Sequence, residues 1–291
     1  MRLFRIGPPG SERPAVLDEN DRAFDISAIT GDIDAAFLNG QSSAGDGIGR
    51  VRAALAEGTL PPVDVTDARI GAPIANPGKI VCIGLNYFDH AQETGATPPT
   101  EPILFLKTPD TVVGPNDEVL IPHRSVKTDF EVELAVVIGR TARYLDSAQD
   151  ALACVAGYAV VNDVSEREFQ IERGGQWDKG KNCETFNPLG PWLVTADEVP
   201  DPQALALKLW VNGEIRQDGN TGQMIFGVAE IIRYLSQFMV LRPGDVINTG
   251  TPAGVALGKP DPKPYLREGD VVELEITGLG KQRQSFGQAK P

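Results

Sequence analysis

Apolar positions along this chain recur mostly with the short period of β-structure. Runs at 80–84, 103–106, 118–121, 132–139, 156–164, 205–212, 246–249 and 271–277 are rich in Val, Ile and Leu and are bounded by turn residues, which predicts strands. Asn212-Gly213 between polar and apolar alternation predicts a type I′ hairpin. Helical spacing is confined to 47–57, where Ile48, Val51 and Leu55 share a face, and to 87–93, 147–153 and 228–238. Ahead of these, 1–6 and 14–25 read as short strands joined by the Gly/Pro turn at 7–10, and 70–78, with Gly71, Pro73, Asn76 and Pro77, reads as a linker. The expectation is a mainly β (α+β) chain: a small N-terminal α+β domain at 1–70 and a larger β-rich domain at 71–291. Many strands with few, peripheral helices argue against a doubly wound sheet.

One strand carries an unusual polar load. In Asp129-Phe-Glu131-Val-Glu133-Leu-Ala-Val-Val-Ile, alternation places Asp129, Glu131 and Glu133 on one face and Phe130, Val132 and Leu134 on the other. A solvated sheet face would explain two acids in this spacing. Three acids leading into Ala-Val-Val-Ile would repel one another and lose hydration unless a cation neutralised them. Asp163 ends the next apolar strand, where it can cap a following helix or point into a cleft as a fourth acid. All-oxygen donors of this kind suit Mg²⁺, Mn²⁺ or Ca²⁺ rather than zinc.

Composition narrows the partners. The chain has 291 residues and a formal net charge of −13, so it offers no basic stripe for nucleic acid or anionic membranes. Its three cysteines, Cys82, Cys154 and Cys183, show no C-x-x-C spacing, and no apolar run is long enough to span a bilayer, so a reducing cytoplasm is the expected setting.

Further residues supply chemistry around the acids. His90 and Glu93 fall three apart on a predicted short helix, close enough for the carboxylate to orient the imidazole as a base. His123 has no such partner and reads as a loop residue. Arg167 and Gln170 project together beyond Asp163, as a clamp for an anionic group would. Lys181 lies in a Gly- and Trp-containing loop suited to closing over a site, and Asn248-Thr-Gly250-Thr251-Pro offers backbone N–H groups to an anion. The same loop and turn would also pass for solvated connections.

These pieces, in this order from about residue 79 to 277, resemble the fumarylacetoacetate hydrolase superfamily. Glu131-x-Glu133 resembles its metal-binding E-x-E, with Asp163 as the third carboxylate; Asp129 lies outside that pattern. Asp163-Val-Ser-Glu-Arg167-x-x-Gln170 resembles the segment whose Arg and Gln face the substrate. Gly180-Lys181 resembles the active-site lysine, Thr249-Gly250-Thr251-Pro252 the turn that holds a substrate carboxylate, and His90 with Glu93 the catalytic pair on a lid helix. The resemblance implies a β-roll or sandwich, a homodimer, Mg²⁺ or Mn²⁺, and a small anionic keto-acid substrate. It further implies hydrolysis of a C–C bond in an acylpyruvate or 2,4-diketo acid. Decarboxylation, keto–enol isomerisation and sugar-acid dehydration are alternatives on the same site, and a metal-stabilised binding protein is the non-enzymatic one.

Overall fold

The computed structural model describes residues 1–39 and 46–290. Its largest sheet runs in the order Ala23–Asp25, Arg13–Leu17, Arg2–Ile6, Leu193–Thr195, Val155–Asn162, Val132–Ile138, Val246–Asn248, Ile80–Gly84, Ile103–Lys107, with Ile70–Gly71 also pairing with Arg2–Ile6. A second sheet holds Glu214–Asn220, Ala206–Val211, Val271–Ile276, Gly280–Gln288 and Val119–Ile121. Most neighbours are antiparallel; Val246–Asn248 beside Ile80–Gly84 and Gly280–Gln288 beside Val119–Ile121 are parallel.

The central Val132–Ile138 strand is buried on both faces, so its alternation separates two cores rather than core from solvent. Leu134, Val136 and Ile138 pack toward the second sheet with Leu207, Leu209 and Leu274. Ala135 and Val137 face the other way, into a core shared with Leu3, Phe37 and Val51 of the N-terminal segment. Strands before residue 79 thus lie in the same sheet as those after it. Ala72, Ile74 and Ala75, from the stretch expected to be a linker, are buried in that packing, because their small and apolar side chains fill the gap beneath the sheet.

Other departures have local causes. The 14–25 run breaks into two strands at a turn where Asp18 accepts from the N–H groups of Asn20 and Arg22. Gly280–Gln288 was not expected as a strand, since its Lys, Arg and Gln residues read as polar. Yet Gln282 and Gln284 are buried and donate to carbonyls of Val160, Gly190 and Pro115, so amide hydrogen bonds replace apolar contacts. The hairpin at Asn212-Gly213 is present, both residues having positive φ of 51° and 80°.

Candidate active site

Strand register assembles the acids. Val132 pairs with Asn162 and Glu133 with Val161 in the antiparallel ladder, and the Asp163 N–H donates to the Glu131 carbonyl at 2.9 Å. Asp163 therefore comes beside Glu131, thirty-two positions earlier, while Glu133 is two residues along on the same face. Carboxylate oxygens of Glu131, Glu133 and Asp163 lie within 4.8 Å of one another, and all three residues are buried. They form the floor of a cavity of about 210 Å³ that His90, Arg167, Gln170, Lys181 and Thr251 also line.

Asp129 stands behind this group. It accepts from Arg167 Nε at 2.8 Å and from the N–H groups of Ala256 and Leu257 at 2.8 and 3.0 Å. Arg167 in turn donates through Nη2 to Glu131 Oε1 at 2.7 Å and through Nη1 to Gln170 Oε1 at 3.0 Å. Lys181 Nζ donates to Glu131 Oε2 at 2.7 Å and Asp163 Oδ2 at 3.1 Å, and sits 5.0 Å over the Phe105 ring. Lys107, which the sequence reading passed over, is as deeply buried; its ammonium bonds Asp163 Oδ1 and the carbonyls of Phe186 (2.6 Å) and Val164 (3.2 Å).

The charges do not balance. Four carboxylates, Asp129, Glu131, Glu133 and Asp163, meet three cations, Lys107, Arg167 and Lys181, in this hydrogen-bonded group. Glu133 is the acid without a cation: its Oε2 accepts the Gly250 N–H at 2.8 Å. Burial, followed by the charges of Asp163 and Glu131, pushes its carboxyl well above the usual range. Burial would also raise Glu131, but the adjacent Lys181 and Arg167 override it and hold that carboxyl at about 2. A buried, all-oxygen cluster in which one carboxyl has no cation of its own fits a divalent hard cation.

The helix Phe88–Thr94 carries His90 and Glu93. His90 Nδ1 is 3.1 Å from Glu93 Oε1, and that oxygen also accepts the Gly254 N–H at 2.8 Å. An ionised carboxylate only accepts, so Nδ1 bears the proton and Nε2 is left as the basic nitrogen. Burial works to raise Glu93, yet the hydrogen bonds from His90 and Gly254 prevail and keep it ionised, below its ordinary value. Two loops converge here because Ile80–Gly84 and Val246–Asn248 are parallel and end on the same side. Asn86 joins them: Nδ2 donates to the carbonyls of Thr249 (2.7 Å) and Phe226 (3.0 Å), while Oδ1 accepts from Phe226 N–H. Gly84 lets the Trp177 ring pack against its strand, since a Cβ there would lie 2.2 Å from that ring.

The Asn248–Pro252 turn uses its groups differently from expectation. Thr249 and Thr251 hydroxyls donate to the carbonyls of Leu134 (2.8 Å) and Val132 (2.9 Å), and the anion met by the Gly250 N–H is Glu133. The turn is stitched to the strand that carries Glu133, and Thr251 also reaches the cavity wall. The segment after Asp163 differs too. Ser165–Glu166 pairs as a two-residue strand with Thr128–Asp129, and a π-turn, Glu168–Glu172, follows in place of an ordinary helix. Neither Asp163 nor Ser165 caps it; Glu166 Oε2 accepts the Phe169 N–H at 2.7 Å. The expected loop residue His123 lies exposed in a turn, away from the residues lining the cavity.

Comparison with known proteins agrees with this geometry. Residues 79–286 match the family model described as fumarylacetoacetate (FAA) hydrolase C-terminal. A Burkholderia ambifaria protein named "Putative hydrolase" is 54% identical over 291 residues, with all of both chains covered. Maleylpyruvate hydrolase from Sphingobium sp. SYK-6, solved with manganese(II) and pyruvate, superposes with a TM-score of 0.80 at 31% identity, covering 100% of both chains. The 5-carboxymethyl-2-hydroxymuconate delta-isomerase from Mycobacterium smegmatis gives a TM-score of 0.77 at 29% identity, again over 100% of both chains. With its family model matched over residues 79–286, this chain belongs to the fumarylacetoacetate hydrolase family.

Proposed function

We propose that the protein is a divalent-metal-dependent hydrolase that cleaves a carbon–carbon bond of an acylpyruvate or related 2,4-diketo acid. The observation that carries this reading is the shared cavity: His90, fixed by Glu93, opens onto the same space as Glu131, Glu133 and Asp163. Mn²⁺ or Mg²⁺ on those three carboxylates would supply a Lewis acid for the adjacent dicarbonyl oxygens.

The chain's own residues account for the rest. His90 Nε2 takes a proton from water, and Glu93 stabilises the imidazolium that results. The water oxygen bonds to the distal carbonyl carbon, the C–C bond breaks, and its electron pair leaves with the pyruvyl carbon. Return of the proton from His90 to that carbon completes the balance: diketo acid and water become a carboxylic acid and pyruvate. Lys181, Arg167 and Gln170 hold the carboxylate of the pyruvyl half, with Thr251 at the wall beside it. The bound pyruvate of the manganese-containing Sphingobium hydrolase supports this reading by analogy.

The test is pyruvate release from a panel of 2,4-diketo acids with Mn²⁺, with Mg²⁺ or with EDTA. Metal-dependent release with an equimolar carboxylic acid is the expected result; no release from any member overturns the hydrolase. The likeness to a delta-isomerase favours a second reading, proton transfer on the same base without bond cleavage. It predicts a change of substrate absorbance with no pyruvate formed.

A further inference from the structure

The cavity divides into two chemically distinct parts. Its floor holds Glu131, Glu133, Asp163, Arg167, Gln170 and Lys181. Its outer wall is built from Leu85, Ala96, Ile103, Ile171, Trp177 and Leu257. Ile103 and Ile171 keep 37% and 46% of their surface exposed, so an apolar rim faces the solvent through which a substrate arrives. Leu85 holds this position with φ of 53°, a left-handed conformation that a branched side chain adopts only under constraint from its surroundings.

Positive charge is confined to the floor. Arg167 and Lys181 are the only Lys or Arg residues lining the cavity among the described residues. Arg167 directs Nε, Nη1 and Nη2 to Asp129, Gln170 and Glu131, and Lys181 gives two hydrogen bonds to Glu131 and Asp163. What donor capacity remains suits one carboxylate, that of the pyruvyl half. The charged neighbours of Ile171 along the chain are acids or already paired: Glu172 with Lys127, and Glu168 with Arg173. Of the basic side chains nearby, Lys179 donates to the Arg173 carbonyl and Lys259 lies 3.7 Å from Glu93, and neither lines the cavity.

Resting on the hydrolase reading, we infer that the acyl tail of the substrate is an uncharged, apolar group: the substrate is a monocarboxylate acylpyruvate, not a dicarboxylate with a second charged end. The apolar wall gives affinity to methylene groups, whereas a tail carboxylate brought against it loses water without gaining a cation. Lengthening an alkyl tail within the cavity raises kcat/KM about fourfold per methylene, the equivalent of about 0.8 kcal/mol. Replacing the terminal methyl by carboxylate lowers it at least about 100-fold.

The deciding pair is 2,4-dioxoheptanoate and 2,4-dioxoheptanedioate, nearly equal in size and different in tail charge. Both are compared with the Mn²⁺-loaded protein for pyruvate release and, separately, for Kd by calorimetry. Tighter binding and faster cleavage of the monocarboxylate support the inference. Ile171→Arg and Ile103→Lys, at exposed rim positions, should each narrow the binding preference about tenfold or more. If neither compound is cleaved but the monocarboxylate binds tighter, the hydrolase reading falls and the apolar tail site stands. Equal or tighter binding of the dicarboxylate overturns the tail assignment whatever the turnover, as does failure of both to bind.

Discussion

The floor and the mouth of the cavity are built by opposite means. At the floor, charged groups are locked in place by the densest part of the sheet: Lys107, Arg167 and Lys181 are each nearly inaccessible, and each is bonded to a buried carboxylate. At the mouth, the seven-residue helix Phe88–Thr94 carries His90, and its Glu93 is held by one imidazole, one backbone N–H and a loosely placed Lys259 at 3.7 Å. A buried ion pair that loses one member leaves an uncompensated charge in a medium of low polarity. A partly exposed carboxylate that loses a partner can turn to water. Disturbing the floor should therefore damage folding and metal affinity, whereas disturbing the mouth should damage turnover while sparing the fold.

The sharpest test at the mouth is His90→Ala. Loss of the proton acceptor should lower kcat about 10²–10⁴-fold with the unfolding midpoint and Mn²⁺ affinity nearly unchanged. Collapse of metal binding in this variant would erase the distinction between the two regions. At the floor, Lys107→Met should cost about 3–5 kcal/mol in denaturant unfolding, because Asp163 loses a buried partner. Lys127→Met, which breaks an exposed pair with Glu172, should leave the unfolding midpoint nearly unchanged in the same experiment.

Mn²⁺ at a hundred times its Kd should stabilise the wild type by about 2.7 kcal/mol, and EDTA should remove the gain. Glu133→Ala should abolish that response, since it deletes the one floor carboxylate without a cation. The smallest effect belongs to pH. Glu93 is depressed in the fold, so it contributes stability above its unfolded pKa and loses it as pH falls through the lower, folded value. Wild type and Glu93→Gln should differ by less than about 1 kcal/mol near pH 6, given partial exposure, and converge as pH falls through the depressed folded value. A gap that widened on acidification would mean Glu93 is protonated in the fold and orients His90 in some other way.

Much of this arrangement can be read from the chain itself, and the limits have physical reasons. Period-two alternation located most strands, including both that supply the acids, because each packs at least one face with β-branched residues. The spacing of His90 and Glu93 survives into three dimensions because both lie within one helix, and that of Glu131 and Glu133 because they flank Val132, the first residue of its strand. Lys107 was hidden because it ends an apolar edge strand, where lysine ordinarily points to water; its partners come from residues 163–186. Asn86 escaped for the same reason, its partners Phe226 and Thr249 being far along the chain. Local pattern reveals what an element contributes, but not which distant carbonyl or carboxylate it will meet.

The long reach of these contacts bears on how the molecule is made. Gly254 meets Glu93 across 161 residues, Gly250 meets Glu133 across 117, and Asn86 meets Thr249 across 163. Pairings this remote close large loops and form late and slowly, after local turns and hairpins are in place. No collapsed intermediate that lacks the Val246–Asn248 strand between its two neighbours can present an oriented His90 above the acid cluster. Recovery of activity during refolding should thus lag behind recovery of β-sheet signal, making turnover a reporter of the last step of folding rather than of the bulk of it.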